Sequence, residues 1–78
     1  MDSYTLSPAY GRDYTSKAKV EADLRADRDF ILHGLGGRAT YCNLSDLPDV
    51  GHARVLVRYR ALRAVAVFDL AKLKEAQA

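Results

Sequence analysis

The segment between residues 53 and 69 constrains the fold of this chain more than any other part of the sequence. From residue 53 to residue 60, the side chains of Val55, Val57 and Tyr59 alternate with mostly charged residues. A period of two is typical of a strand with one buried and one open face. A second apolar stretch, residues 63–69, predicts the hairpin partner of this strand. A hairpin alone is only marginally stable in water, so a further layer has to cover its buried face.

The residue sizes also predict how these two strands pair. Placing Tyr59 opposite Ala64 sets large side chains of one strand against small ones of the other. The further pairs in this register are Val57 with Ala66 and Val55 with Phe68. A helix over residues 61–76 is the alternative, because Leu62, Ala66, Leu70 and Leu73 recur at helical spacing. The valines favour the strand up to residue 69, followed by a short helix or tail over residues 70–78.

A helix is predicted over residues 17–26, a stretch rich in alanine and without glycine or proline. Thr15 and Ser16 can each supply the N-cap oxygen. Val20 and Leu24 are four residues apart and therefore share a face. A helix this short is not stable alone in water, so we expect it to cover a sheet.

Residues 30–33 and 38–42 predict a second hairpin, with Gly34, Gly36 and Gly37 in the loop between them. Residues 1–15 show no clear period and are predicted as an extended N-terminal segment whose three tyrosines pack on the domain. The sequence therefore predicts a single α+β domain over residues 1–78. One helix packs on a mostly antiparallel sheet of about four strands, ahead of the C-terminal helix or tail.

Size and composition exclude several classes of protein. A chain of 78 residues and 8.6 kDa is one small domain rather than a multidomain enzyme. The sequence has no apolar run long enough to span a membrane, and its single cysteine cannot form an internal disulfide. No secretory signal is visible, so we expect a cytoplasmic protein.

The side chains that most often carry chemistry are sparse. His33, Cys42 and His52 are the candidate metal ligands, but their spacing is not that of a zinc site, so no metal is predicted. The spacing also gives no support to a catalytic cysteine–histidine pair. Cys42 is predicted to be a small buried side chain.

Two further patterns favour structural roles over catalysis. The glycines at 34–37 lack the spacing of a dinucleotide-binding loop and fit a hairpin turn better. The acidic pairs Asp27/Asp29 and Asp46/Asp49 lie at predicted element boundaries, where aspartates cap helices and form turns. We therefore expect no catalytic residues and no cofactor.

The arginines of the C-terminal hairpin form the one pattern that indicates a function. Residues 51–78 contain six basic and two acidic residues, against six and eight in residues 1–50. The candidate partner-binding residues are Arg54, Leu56, Arg58, Arg60 and Arg63. Three interpretations remain open: a protein interface, a solvated strand face, and a surface that binds nucleic acid. The apolar residues beside the arginines favour the interface, which includes a homodimer, and the small net charge disfavours nucleic acid.

Several segments resemble small phage and prophage proteins. Residues 8–14, the Ser16-Lys17 helix start and Asp29-Phe30 resemble the beginning of those proteins, and residues 55–59 resemble the start of their final hairpin. The chain departs from them at Leu24, near which a tryptophan is usual. The resemblance implies a phage or prophage origin, in the cytoplasm of a bacterial host, and it supplies no assigned enzymatic activity.

Small phage proteins of this kind often bind and block host machinery, and anti-CRISPR proteins are the best-known class. We therefore expect a non-enzymatic protein that binds and inhibits a host protein complex, such as a type I CRISPR effector complex. The alternative is a small accessory protein that binds nucleic acid through the arginine-rich hairpin.

Overall fold

The computed structural model describes residues 3–48, 50, 53–59 and 63–75. In this part of the chain two helices, α1 (Lys17–Arg25) and α2 (Leu70–Glu75), pack against one five-stranded sheet. The strands are β1 (Ser3–Pro8), β2 (Phe30–His33), β3 (Ala39–Cys42), β4 (Arg54–Tyr59) and β5 (Ala64–Asp69), in the sheet order β3-β2-β1-β4-β5. Two short 3₁₀ turns, Leu35–Gly37 and Leu44–Asp46, flank β3.

The predicted α+β class is confirmed, but the sheet has one strand more than expected and is mixed. Strand β1 occupies its centre, antiparallel to β2 and parallel to β4. We predicted this region only as an extended N-terminal segment. Leu6, which is 1% exposed, pairs with Leu32 on one side and Val57 on the other. Burial between two neighbouring strands, rather than local propensity, therefore holds β1 in the sheet.

The C-terminal hairpin has the predicted register. Tyr59 lies opposite Ala64, and the other two predicted pairs are also present. The alternative helix over residues 61–76 is wrong, because residues 64–69 are a strand and α2 begins only at Leu70. Residues 60–62 of the turn between β4 and β5 lie outside the described residues.

Helix α1 begins and packs as its sequence predicts. The side-chain oxygen of Ser16 accepts a hydrogen bond from the backbone N–H of Lys19 at 3.2 Å. Val20 and Leu24 are fully buried against the sheet. The predicted hairpin of β2 and β3 is also confirmed.

The ring of Tyr14 is buried and that of Tyr4 is partly buried against the core, whereas Tyr10 is 69% exposed, and the hydroxyls of all three reach polar partners. The Tyr4 hydroxyl donates to the Pro48 carbonyl oxygen at 2.9 Å, and that of Tyr10 donates to Asp29 at 3.1 Å. The Tyr14 hydroxyl donates to the carboxylate of Asp23 at 2.8 Å. The bonds of Tyr10 and Tyr14 attach the loop between β1 and α1 to the rest of the domain, and that of Tyr4 joins β1 to the segment before β4.

Asp23 is a buried carboxylate that the sequence did not single out. It is 5% exposed and lies 3.4 Å from both Arg12 and Lys19 and 3.9 Å from Arg28. Burial alone raises the pKa of Asp23. The hydrogen bond from Tyr14 and the positive charge of Lys19 outweigh burial and hold this pKa below its usual value. Burial and the same hydrogen bond raise the pKa of Tyr14 to about 12.

Candidate partner-binding face

Both helices lie on one side of the sheet, and no described helix covers the other side, which we call the open face. Cross-strand pairs show which side chains share it: Thr5 lies opposite His33 and Leu56, and Leu56 lies opposite Val67. Asp69 also lies on this face, opposite Arg54. The open face comprises Ser3, Thr5, Ser7, Ile31, His33, Ala39, Tyr41, Arg54, Leu56, Arg58, Val65, Val67 and Asp69.

The β4–β5 half of the open face is apolar at its middle. Leu56 is half-buried, and Val65 and Val67 on the neighbouring strand are 49% and 44% exposed. These side chains lie next to one another because Leu56 pairs with Val67 and Arg58 with Val65. Adjacent exposed aliphatic side chains are a common sign of a surface that another molecule covers.

Arginines border this apolar surface. Arg54 and Arg58 are exposed on the open face, as the alternation in β4 predicts, and Leu56 lies between them. Arg63 is exposed in the turn before β5, where its φ of 47° is left-handed. Arg60, the fourth predicted arginine, lies outside the described residues. Within the described part of the chain, Arg54, Arg58 and Arg63 form no ion pair, so their guanidinium groups are available to a partner.

A concave region of about 1130 Å³ lies at the end of the open face where Arg58 and Arg63 meet β1. Ser7 and His33 line it from the other side. Arg12 also lines the region, but its guanidinium group donates to the backbone carbonyls of Ala9 and Asp29 and is already engaged. The carboxylate of Asp13 also lines the region. The guanidinium groups of Arg58 and Arg63 can bind a carboxylate through paired N–H donors.

Ser7 and His33 form a hydrogen-bonded pair in this region. The Ser7 Oγ and the His33 Nε2 are 2.6 Å apart, in a hydrogen bond whose direction depends on the tautomer of His33. A serine nucleophile also needs a group that orients the histidine base, and no described side chain contacts Nδ1 of His33. The pair instead fixes the His33 ring against β1.

The other chemistry-bearing residues are separated by the sheet. Cys42 pairs with Phe30 on the helix-covered face, whereas His33 lies on the open face, so the two cannot form a catalytic pair. His52 and Asp49 lie outside the described residues. Asp46 closes a capping box with Asn43, the structural role predicted for it. Across the described residues, no three potential metal ligands cluster.

Cys42 is expected to react slowly with thiol reagents in the folded protein. Burial raises the pKa of its thiol to about 11, with smaller contributions from the carboxylates of Asp46 and Asp29. Because only the thiolate is nucleophilic, we expect reaction with a disulfide reagent at pH 8 to be about 100-fold slower than in the unfolded chain. The measurement is the labelling rate with and without denaturant, and equal rates would contradict this account.

One part of the open face was missed by the sequence analysis. The rings of Tyr10 and Tyr41 stack with their centroids 5.1 Å apart and their planes 8° from parallel, and Tyr41 is 62% exposed. Tyr41 lies opposite Ile31 on the open face. The available signal was the alternation of Ser3, Thr5 and Ser7 with larger residues, which is typical of a strand but does not show which strands lie beside it.

Comparisons of the chain with family models, with curated proteins and with solved structures gave no match. None of the helices in the described residues has both the length and the apolar character needed to cross a bilayer. The function is therefore inferred from the residues of the open face.

Proposed function

We propose that this protein acts by binding another protein through its open face, without catalysis. The observation that carries the proposal is an apolar centre bordered by unpaired arginines on a sheet face that no described helix covers. Protein interfaces commonly combine an apolar core with a polar rim, and arginine and tyrosine are enriched among their strongest contacts. The matching partner surface is apolar at its centre and acidic around it.

The apolar centre favours this proposal over a solvated strand face. A solvated face needs no aliphatic side chains, yet Leu56, Val65 and Val67 lie side by side here. The apolar centre also favours a protein over a nucleic acid as partner, because a phosphate backbone interacts with the arginines but not with the valines.

More specifically, we propose a phage or prophage protein that inhibits a host protein complex in the bacterial cytoplasm, with a type I CRISPR effector complex as the candidate target. The phage resemblance of the sequence supports this identity, and the open face supports the mode of action. The surface that would dock contains Arg54, Leu56, Arg58 and Arg63, together with Arg60 from the sequence.

The test is binding of the protein to a purified type I effector complex. We expect R58E to weaken binding at least about tenfold, because it removes a central guanidinium and places a carboxylate against acidic partner groups. K72E is the matched control, since it makes the same charge change at an exposed residue of α2. Absence of binding by the unmodified protein would refute the CRISPR target. Equal loss in R58E and K72E would refute the open face as its docking surface.

An accessory nucleic-acid-binding protein is the second candidate, favoured by one observation. Tyr41 exposes an aromatic ring on a sheet face that also carries Arg54 and Arg58, and stacking rings with nearby cations can bind single strands. A gel-shift series with single-stranded oligonucleotides decides between the candidates. Affinity that falls steeply with salt supports nucleic acid, and no shift at low salt removes this candidate.

A further inference from the structure

Strand β5 is an edge of the sheet with little to prevent further pairing. Its one sheet neighbour among the described strands is β4. It pairs with β4 residue for residue from Ala64 to Asp69, without a bulge. Lysines, prolines and bulges are the usual devices that block an edge strand, and β5 has none of them. Its one charged residue, Asp69, is at its end.

The hydrogen-bond pattern shows which backbone groups of β5 point outward. The Leu70 N–H donates to the Ala53 carbonyl at 3.1 Å, and this pair extends the β4–β5 register by one position. Hydrogen-bonded and non-hydrogen-bonded pairs alternate along an antiparallel ladder. Residues 64, 66 and 68 therefore bond to β4, and the peptide groups of Val65, Val67 and Asp69 face the free edge.

We infer that β5 pairs antiparallel with β5 of a second copy of this chain. Only the outward-facing residues can exchange hydrogen bonds across such an edge, so they must pair among themselves. Two registers give the largest overlap. One is centred on Val67 opposite the second copy's Val67, and the other on Ala66 opposite the second copy's Ala66.

Charge selects the register centred on Ala66. In that register Asp69, the last residue of β5, lies near the second copy's Arg63, which is the turn residue just before β5, and the contact occurs twice because of the two-fold symmetry. Asp69 and Arg63 are both exposed, and neither forms an ion pair within the described residues. In the register centred on Val67, Asp69 instead lies opposite the second copy's Val65. The register centred on Ala66 brings the opposite charges of Asp69 and Arg63 together at both ends of the paired strands, so it is the favoured one.

The two-fold axis of an antiparallel strand pair is perpendicular to the sheet, so both open faces lie on the same side of the dimer. The four helices lie together on the other side. The dimer is therefore a continuous ten-stranded sheet that leaves Arg54 and Arg58 of both copies accessible. Pairing through β5 is independent of the protein partner proposed above.

The first test is the molar mass of the purified protein by sedimentation equilibrium. A single edge contact is smaller than a stable interface, so we expect a dimer with a dissociation constant of about 10–100 µM. V67K and R63E should each weaken the dimer at least about tenfold, while K72E leaves it unchanged. Circular dichroism confirms that the variants are folded. A monomer at about 1 mM protein, or a dimer unaffected by V67K, overturns the inference.

Cysteine cross-linking tests the register in a Cys42→Ala background. Hydrogen-bonded pairs across an antiparallel ladder have Cα atoms about 5.5 Å apart, which a disulfide can bridge. Val65 and Val67 are both exposed, and in the inferred register Val65 lies opposite the second copy's Val67. An equimolar mixture of V65C and V67C should therefore form the mixed covalent dimer on oxidation at least about tenfold faster than V67C alone dimerises, because Val67 faces its own counterpart only in the other register. Faster cross-linking of V67C alone would overturn the register.

Discussion

Asp23→Asn is expected to destabilise the protein by about 2–3 kcal/mol, because it leaves the partly buried guanidinium group of Arg12 without its counter-charge. Arg12 matters most here, since its side chain is 20% exposed, whereas Lys19 and Arg28 are 63% and 59% exposed and are screened by water. A domain of this size has a total stability of about 4–12 kcal/mol. The melting temperature should therefore fall by about 10–20 °C, measured by calorimetry.

The pH dependence identifies the charge of Asp23 as the cause. Because its pKa in the folded protein is below its unfolded value, its contribution to stability is present above about pH 4 and is lost as the pH falls through the folded pKa. The stability difference between the native protein and D23N should shrink in acid. Glu21→Gln is the matched control, since Glu21 pairs with Arg25 on the surface of the same helix at 3.5 Å. Equal losses in D23N and E21Q would contradict this role of Asp23.

Phe30→Ala is expected to have the largest effect on folding, about 3–5 kcal/mol. The Phe30 side chain is fully buried, with the Tyr14 ring 6.1 Å from it and the Arg12 guanidinium 4.9 Å from its centroid. Its loss creates a cavity and also removes the surface against which Arg12 is held near Asp23. The measurement is the free energy of unfolding in urea.

Leu35→Ala provides the control for Phe30→Ala. It also truncates a large apolar side chain, but Leu35 is 96% exposed, so the expected change is within about 0.5 kcal/mol. A Phe30→Ala protein as stable as Leu35→Ala would show that the core does not depend on the ring.

The sequence predicted those parts of the fold whose signals are local. The β4–β5 hairpin follows from alternation and complementary residue sizes, and α1 follows from its alanines and the Ser16 cap. Strand β1 was missed because its parallel partner β4 lies about fifty residues further along the chain. Parallel pairing at that separation leaves no turn or spacing in the sequence to mark it.

For the same reason, only the β4 part of the candidate site was predicted from the sequence. Arg54, Leu56 and Arg58 were placed correctly on one face because they belong to a single strand. Tyr41 and His33 join them only through β1, so their place on the same face could not be predicted without it. Asp23 was missed although it lies three residues after Val20, on the buried side of α1. Acidic residues are rarely buried, and only the tertiary structure brings Arg12 to it.

Cross-saturation from a purified type I effector complex to this protein, labelled at its methyl groups, tests the central claim most directly. If the open face docks, the methyl signals of Leu56, Val65 and Val67 should lose intensity. Those of Ala22 and Ala71, exposed on the two helices, should not. Intensity loss at Ala22 and Ala71 with Leu56, Val65 and Val67 unchanged would contradict the claim.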